Sequence, residues 1–426
     1  MVAPAQGRAT RPLRLHAPLR PCERVLEVRS QSTASPAPPF LRAIALWASI
    51  AGLSAIRRFG AHWRFGAHRR FGAHRRFGAH RRFGACSADG ISDAVGCPVH
   101  YRDAHMNNAI HDSVVGAIGA TPLVALDRLS AGLPGRVVAK LEFYGPGASV
   151  KDRVARAVID DAEERDLLKP GGTVVELTSG NMGTGLAVVC AVRGYRMIAV
   201  MSAGNSIERR RMLEALGAEV ALVPQAPGSV PGKVSGPDLD LVETRTRELV
   251  SALGAYRPDQ FNNPAAVRAH EQTTGQEIWE QTGGRVGAFV ASVGAAGTFL
   301  GTARALKARN PAIACYPVEP ATARFIAAGA EGVTNPGHKI QGTGYVMVPP
   351  LWQPELVDGF LSVTDEDAIE TARRLATREG IFAGFSAGAN VFAALQVAAT
   401  CTPGTIVATI ACDSGLKYLS TDLWAD

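Results

Sequence analysis

The stretch YGPGASVKDRVARAVIDDA (residues 144–162) sets one lysine between a Gly/Pro/Ser loop and a run with helical spacing. Elsewhere the chain prefers arginine, with 38 arginines against 7 lysines. An arginine stays protonated, whereas a lysine can act as a neutral amine nucleophile, so Lys151 is the first candidate for chemistry. A solvated lysine at a loop–helix junction is the plain alternative, since most lysines are exposed. Three glycine-rich turns follow: SGNMGTG (179–185), SVGAAGTFLG (292–301) and GFSAGAN (384–390). The first two run from a strand into a helix, where backbone N–H groups and the helix dipole suit a phosphate or carboxylate; close strand–helix packing selects glycine equally well. Neither fits the dinucleotide fingerprint, and no G-K-[ST] completes a P-loop. The third matches G-x-S-x-G around Ser386, but an α/β-hydrolase needs a later histidine and the last one is His338.

The elements that must position these residues alternate. Apolar residues at 154, 158 and 162 predict a helix after Lys151, stopped by Pro170 and Gly171. TVVEL (173–177), MIAVM (197–201) and EVALV (219–223) read as short buried strands. LAVVCAV starts a helix between the first two, and Ser206 caps IERRRMLEAL before the third. AFVASV (288–293), a capping box at Thr364 and Asp367, and TIVATIA (405–411) give a second unit of the same kind. Two open α/β units bind ligands where strand ends meet helix starts, and the glycine turns lie there.

A length of 426 residues, 46% hydrophobic and 19% charged, suits a soluble globular protein of two or three domains. The net charge of +7 is unevenly placed. Residues 1–105 hold 17 Arg against 5 Asp/Glu, a balance of +12, while residues 106–426 carry 28 basic and 33 acidic side chains, a balance of −5. The basic part contains five RRFGAH-like hexapeptides from Arg57 to Cys86, whose glycine and charge density predict a low-complexity extension without a core. Nucleic-acid binding and an organelle transit peptide are competing readings, and the apolar run 40–56 is short for a membrane span and carries Arg42. A natural start at Met106 is preferred, with 1–105 disordered or outside the mature chain, a cytoplasmic location, and no nucleic-acid or membrane partner. An organelle remains the alternative if the extension is a transit peptide. The 7 cysteines show no C-x-x-C pair and no zinc spacing, so they read mostly as small buried hydrophobes, with no metal.

Across 106–426, the segments IGATPLV, GPGASVKDR, KPGGTVVELTSGNMGTGLA, ERRRMLEALGAE, QFNNPAAVRAHEQTTGQEIW, VGAAGT, KIQGTG, TARRLATREGIFAGFSAGAN and DSGLKYLST occur in order. This part resembles the pyridoxal-phosphate-dependent β-family (fold type II), in its cysteine synthase (O-acetylserine sulfhydrylase) branch. The resemblance implies an α/β fold: two open domains with mainly parallel sheets and pyridoxal 5'-phosphate in the cleft between them. Residues 106–263 would form the first domain, its first strand crossing to the other, and residues 264–426 the second.

The resemblance also implies the site. Lys151 would hold the cofactor as a Schiff base and act as the base at Cα, and Asn181 would bond the ring hydroxyl. Gly294, Ala295, Ala296, Gly297 and Thr298 would cradle the phosphate, and Ser386 would meet the pyridine nitrogen. The substrate carboxylate would sit on Thr178, Ser179, Gly180 and Met182, with Gln260 reaching in. A neutral serine at the ring nitrogen moderates the electron sink and favours β-elimination. The implied reaction is O-acetylserine plus sulfide to L-cysteine plus acetate through an α-aminoacrylate, in a homodimer. Cysteine desulfhydrase or another β-elimination or β-replacement enzyme of the family is the alternative, and a non-catalytic binding protein on this scaffold a further one. The chain departs from the family at Met182, where threonine is common, at Ala295 and Ala296 in a turn that commonly reads Gly-Thr-Gly-Gly-Thr, and at Gly145 and Ala148, where Asn and Gly are usual. YVM follows KIQGTG in place of small residues, and an insertion at 225–240 reads as a Pro/Gly loop beside the cleft mouth.

Overall fold

The computed structural model describes residues 110–178, 180–230, 234–335 and 337–424. The readings of residues 1–105 and of Ser179 lie outside the described residues. Strand β1 (Leu123–Ala125) pairs antiparallel with β2 (Arg136–Leu141). All of β2 beyond Arg136 is buried, the pattern of a strand covered on both faces. Helix α1 (Lys151–Glu164) buries Val154, Ala155, Val158, Ile159 and Ala162, one face of a 3.6-residue period. Strand β3 (Thr173–Leu177) leads to α2 (Asn181–Arg193), β4 (Arg196–Ser202), α3 (Ile207–Ala215) and β5 (Glu219–Val223). These three strands form one parallel sheet in the order β3-β4-β5.

Helix α4 (Gly236–Leu253) follows, then α5 (Ala265–Ala269), a π-helical turn (His270–Thr274) and α6 (Gly275–Gln281). Strands β6 (Val286–Ser292), β7 (Ala314–Pro320), β8 (Leu361–Val363) and β9 (Ile406–Ala411) alternate with α7 (Gly297–Arg309), α8 (Phe325–Ala328), α9 (Asp365–Arg374) and α10 (Phe385–Thr400). They join the first two strands in a six-stranded sheet, β1-β2-β9-β6-β7-β8, parallel at every pairing except β1–β2. The expected α/β class with mainly parallel sheets is therefore observed. Among the described residues no helix is long and apolar enough to cross a membrane.

Three local expectations change. Helix α2 begins at Asn181, so most of the glycine turn is its first turn; a Cβ on Gly185 would lie 3.1 Å from the Lys151 carbonyl, and glycine there lets α1 and α2 touch. Ser206 stands at the N-cap of α3 but makes no side-chain bond to it. The segment 225–240 is not all loop: Ser235 and Asp238 form a reciprocal capping box that starts α4, with Pro237 in its first turn.

A buried charge cluster ties α1 to the larger sheet. Arg153 donates to Glu142 at 2.7 and 3.0 Å and to Glu277 of α6 at 2.6 and 2.8 Å. Lys140 of β2, fully buried, reaches Glu277 at 2.6 Å and the Thr121 carbonyl at 2.6 Å. Burial opposes the charge of Glu277, but Arg153 and Lys140 outweigh it and hold the carboxyl at about 2. Removing one member strands a buried charge, so Arg153→Met is expected to cost about 3–5 kcal/mol in chemical denaturation. Glu277 has a folded value below its ordinary 4.5, so its contribution is present above that pH and lost as pH falls toward 2. Melting temperatures taken from pH 6 to pH 2.5 should fall more steeply for the natural chain than for Arg153→Met.

Candidate active site

One cleft gathers the ends of both sheets. Thr178 follows β3, Gly294 follows β6 and Cys412 follows β9, and all three line it. Four helices start there, at Lys151 (α1), Asn181 (α2), Gly297 (α7) and Phe385 (α10), so the positive ends of four helix dipoles gather at one space. Thr178, Gly180, Asn181, Met182, Gln260, Gly294, Ala295, Ala296, Gly297, Thr298 and Ser386 line this cleft with Lys151. Every described residue singled out from the sequence is therefore in one place.

Lys151 is partly open to the cleft, yet desolvation of its ammonium pulls its pKa below the ordinary lysine value, with Cys412 opposing. The neutral amine is thus favoured, as a carbonyl-capturing lysine requires. Burial, with Asp413 adding, raises the Cys412 thiol to about 12 against the opposing pull of its Ser386 hydrogen bond and of Lys151, so this cysteine stays protonated. It is half-buried and lines the cleft, unlike the buried Cys190 and Cys315 that fit the reading as small hydrophobes.

The turn before α7 has the shape of an anion cradle. A Cβ on Gly294 would fall 2.2 Å from the Gly342 carbonyl, so only glycine lets these two loops meet. Behind the turn, the His270 ring bonds Thr298 Oγ1 through Nε2 at 3.2 Å and Thr274 Oγ1 through Nδ1 at 2.9 Å. Burial, with Arg153 and Lys151 adding, holds His270 well below its ordinary pKa, so a neutral ring supports the Thr298 hydroxyl. His270 lies in a π-helical turn, a distortion common at functional sites.

Across the cleft, Thr178 Oγ1 accepts from Gly180 N at 3.1 Å and Gly183 N at 2.9 Å and pins the start of α2. Gly180 has φ 143°, open only to glycine, and Met182 is buried. Asn181 bonds Asp413 and Lys417, and Arg209 of α3 reaches Gln341 across the cleft mouth. Phe261 and Tyr345 meet edge to face at 5.3 Å in the wall. Sequence alone singled out none of His270, Arg209, Gln341, Phe261, Cys412, Asp413, Lys417 or Tyr418. All of these except Cys412 fall inside the motif segments, but nothing in a string of residues shows which of them turn inward. The described part of the insertion 225–240 supplies no lining residue. The donor set fits a phosphorylated carbonyl cofactor: a desolvated lysine amine of lowered pKa, a glycine-containing turn with a threonine hydroxyl, and a buried serine.

Comparison with known proteins agrees with this chemistry. The family model described as pyridoxal-phosphate dependent enzyme matches residues 114–413. A probable cysteine synthase of Bacillus subtilis (strain 168) is 43% identical over 315 residues, covering 72% of this chain and 96% of its own. Among solved structures, an O-ureido-L-serine synthase is 39% identical with a TM-score of 0.68, covering 75% of this chain and 97% of that one. A hydrogen sulfide-producing enzyme from Fusobacterium nucleatum is 35% identical with a TM-score of 0.67, covering 73% and 100%.

Three of the five described non-glycine residues with positive φ lie in or next to cleft-lining segments, the others being Ala120 and Asp166. Ala148, three residues before Lys151, has φ 54°; Asp259, beside Gln260, has φ 47°; Ala296, in the cradle, has φ 65°. A left-handed conformation costs an L-residue with a Cβ about 1–2 kcal/mol relative to its usual one. Ala148→Gly and Ala296→Gly should each stabilise the protein by about 0.5–1 kcal/mol after the larger chain entropy of glycine is subtracted. Urea denaturation curves check this, with Ala295→Gly as the control expected to destabilise.

Proposed function

We propose that this chain, which belongs to the pyridoxal-phosphate-dependent enzyme family, catalyses β-replacement on an activated serine, converting O-acetylserine and sulfide to L-cysteine and acetate. The observation that carries this reading is the meeting of Lys151, Asn181, the turn 294–298 and Ser386 in one cleft of a chain 43% identical to a probable cysteine synthase. Lys151 Nζ would bind the cofactor carbonyl carbon, the N–H groups at the start of α7 would receive its phosphate, Ser386 would face its ring nitrogen and Asn181 its ring hydroxyl. When bound, the cofactor supplies an electron sink for negative charge at the substrate Cα.

The chain's own residues supply the rest. The start of α2 and the Gln260 side chain would hold the substrate carboxylate, on a turn that Thr178 keeps rigid. Desolvation lowers the Lys151 pKa below its ordinary value, which favours Nζ as the base that would take the proton from Cα. Acetate then departs with the electron pair of the Cβ–O bond. Hydrosulfide forms the Cβ–S bond in its place, and Lys151 Nζ returns a proton to Cα. Ser386 is 7% exposed and uncharged, so it would offer a hydrogen bond to the ring nitrogen without the anion that would fully charge the ring.

A second reading, sulfide release from cysteine, draws on the similarity to the hydrogen sulfide-producing enzyme and on Met182 in the carboxylate turn. One experiment separates the two. The purified full chain with added pyridoxal phosphate should show a visible absorbance band that shifts with O-acetylserine and returns with sulfide as cysteine and acetate form in equal amounts. A band indifferent to O-acetylserine, with sulfide released from cysteine, would establish the second reading instead. Lys151→Ala should lose the band and slow turnover at least about 10²–10⁴-fold.

A further inference from the structure

Asn181 stands in a buried polar chain that the proposed reaction does not itself use. Lys417 Nζ donates to Asn181 Oδ1 at 2.7 Å and to the Gly147 carbonyl, in the loop before Lys151, at 2.8 Å. Asn181 Nδ2 donates to Asp413 Oδ2 at 2.8 Å, and the Tyr418 hydroxyl donates to the same oxygen at 2.6 Å. Asp413 is fully buried and Lys417 is 5% exposed, so water cannot stand in for either.

This arrangement removes the usual ambiguity of an amide. Burial lowers the Lys417 pKa, but unlike Lys151 it faces two carboxyls, Asp413 and Asp152, that oppose the shift; as an ammonium it only donates, and a carboxylate only accepts. Turning the amide over would set its NH₂ against Lys417 and its oxygen against Asp413, two mismatches in a desolvated site. Two opposite charges therefore fix Asn181 in one of its two orientations. One N–H is held by Asp413, and the second is the donor that the side chain can offer to a ligand in the cleft it lines.

We propose that Lys417 and Asp413 are positioning residues that lock the Asn181 amide as a hydrogen-bond donor to the ring hydroxyl of the cofactor, favouring that oxygen in its ionised form. The inference rests on the role given to Asn181 above. A donor at fixed angle stabilises an oxyanion, whereas an amide free to turn over would offer its carbonyl oxygen half the time and favour the protonated oxygen. Through the Gly147 carbonyl the same ammonium also restrains the loop that delivers Lys151, so cofactor anchor and ring contact share one support.

The test uses the full chain loaded with pyridoxal phosphate and no substrate. Two quantities are read: cofactor affinity by fluorescence titration, and the ratio of the long-wavelength absorbance band, from the ionised ring oxygen, to the short-wavelength band. Lys417→Met should weaken cofactor binding roughly ten-fold and move absorbance toward the short-wavelength band. Lys417→Arg, which keeps the charge, should recover most of the ratio. Asp413→Asn, which can meet either face of the amide, should shift the ratio in the same direction by less. If Lys417→Met does not fold by circular dichroism, Asp413→Asn decides alone. Folded variants with the natural ratio and affinity would overturn the inference and leave the proposed function standing. A natural chain that takes up no cofactor would overturn both.

Discussion

Arg153 lies two residues beyond Lys151, and its guanidinium is clamped between Glu142 and Glu277 in the protein interior. Half a helical turn thus separates the candidate nucleophile from a guanidinium that makes five side-chain hydrogen bonds. With Lys140 the cluster holds two positive and two negative groups, so the interior carries no net charge there. Its bonds join β2, the segment after it, α1 and α6, which fixes the first turn of α1 against the six-stranded sheet. The three-stranded sheet packs on the same helix through α2. The position of Lys151 relative to both sheets follows from that clamp, and so does the place where the cleft opens.

Around this fixed point, charge is supplied by backbone more than by side chains. Four helix starts face the cleft, and the one lysine at its floor is held toward neutrality by desolvation. Such a cleft attracts a phosphate or a carboxylate without a lysine that would stay charged and unreactive. The cradle at 294–298 shows what this costs locally. Gly294 must be glycine because of the Gly342 carbonyl, yet Ala296 adopts a left-handed conformation that glycine would accept more easily. Strain of this kind persists where surrounding contacts over-determine the backbone, and here α7 and the His270–Thr298 bond do so.

Much of this was legible in the residues. The apolar spacing at 154, 158 and 162 marked α1, and the short runs 173–177 and 219–223 are strands at those bounds. The motif segments placed twelve cleft-lining residues in order along the chain, because a chemistry that needs an amine, an N–H turn and a hydroxyl constrains residue types strongly. What stayed hidden depends on contacts between distant segments. Glycine in SGNMGTG suggested a loop, although Gly185 is helical and small because α1 presses on it. Pro and Gly in 225–240 masked a helix start, since the Ser235–Asp238 box lies among turn-forming residues. Asp413 and Lys417 are 232 and 236 positions from Asn181, and no local pattern joins them.

Three buried carboxyls fix segments that border the cleft. Asp152 accepts from the Gly147 N–H at 2.8 Å, Glu176 from the Asp259 N–H at 2.7 Å, and Asp413 from Asn181. An acceptor with two oxygens can hold a loop by its backbone without regard to the loop's side chains, which leaves those side chains to the ligand. Burial then raises Asp152 to about 6 and Glu176 to about 8, because each sits with too little positive charge nearby. Glu176 binds a proton more tightly folded than unfolded, so its contribution declines as pH rises from its ordinary 4.5 toward 8. Glu277 works in the opposite sense, since its contribution declines as pH falls below 4.5. The two carboxyls therefore oppose each other in pH: the Glu176 contribution is whole below about 4.5, and the Glu277 contribution above it. No pH keeps both contributions whole, so the region behind the cleft balances a carboxyl that burial leaves short of positive charge against one that Arg153 and Lys140 saturate.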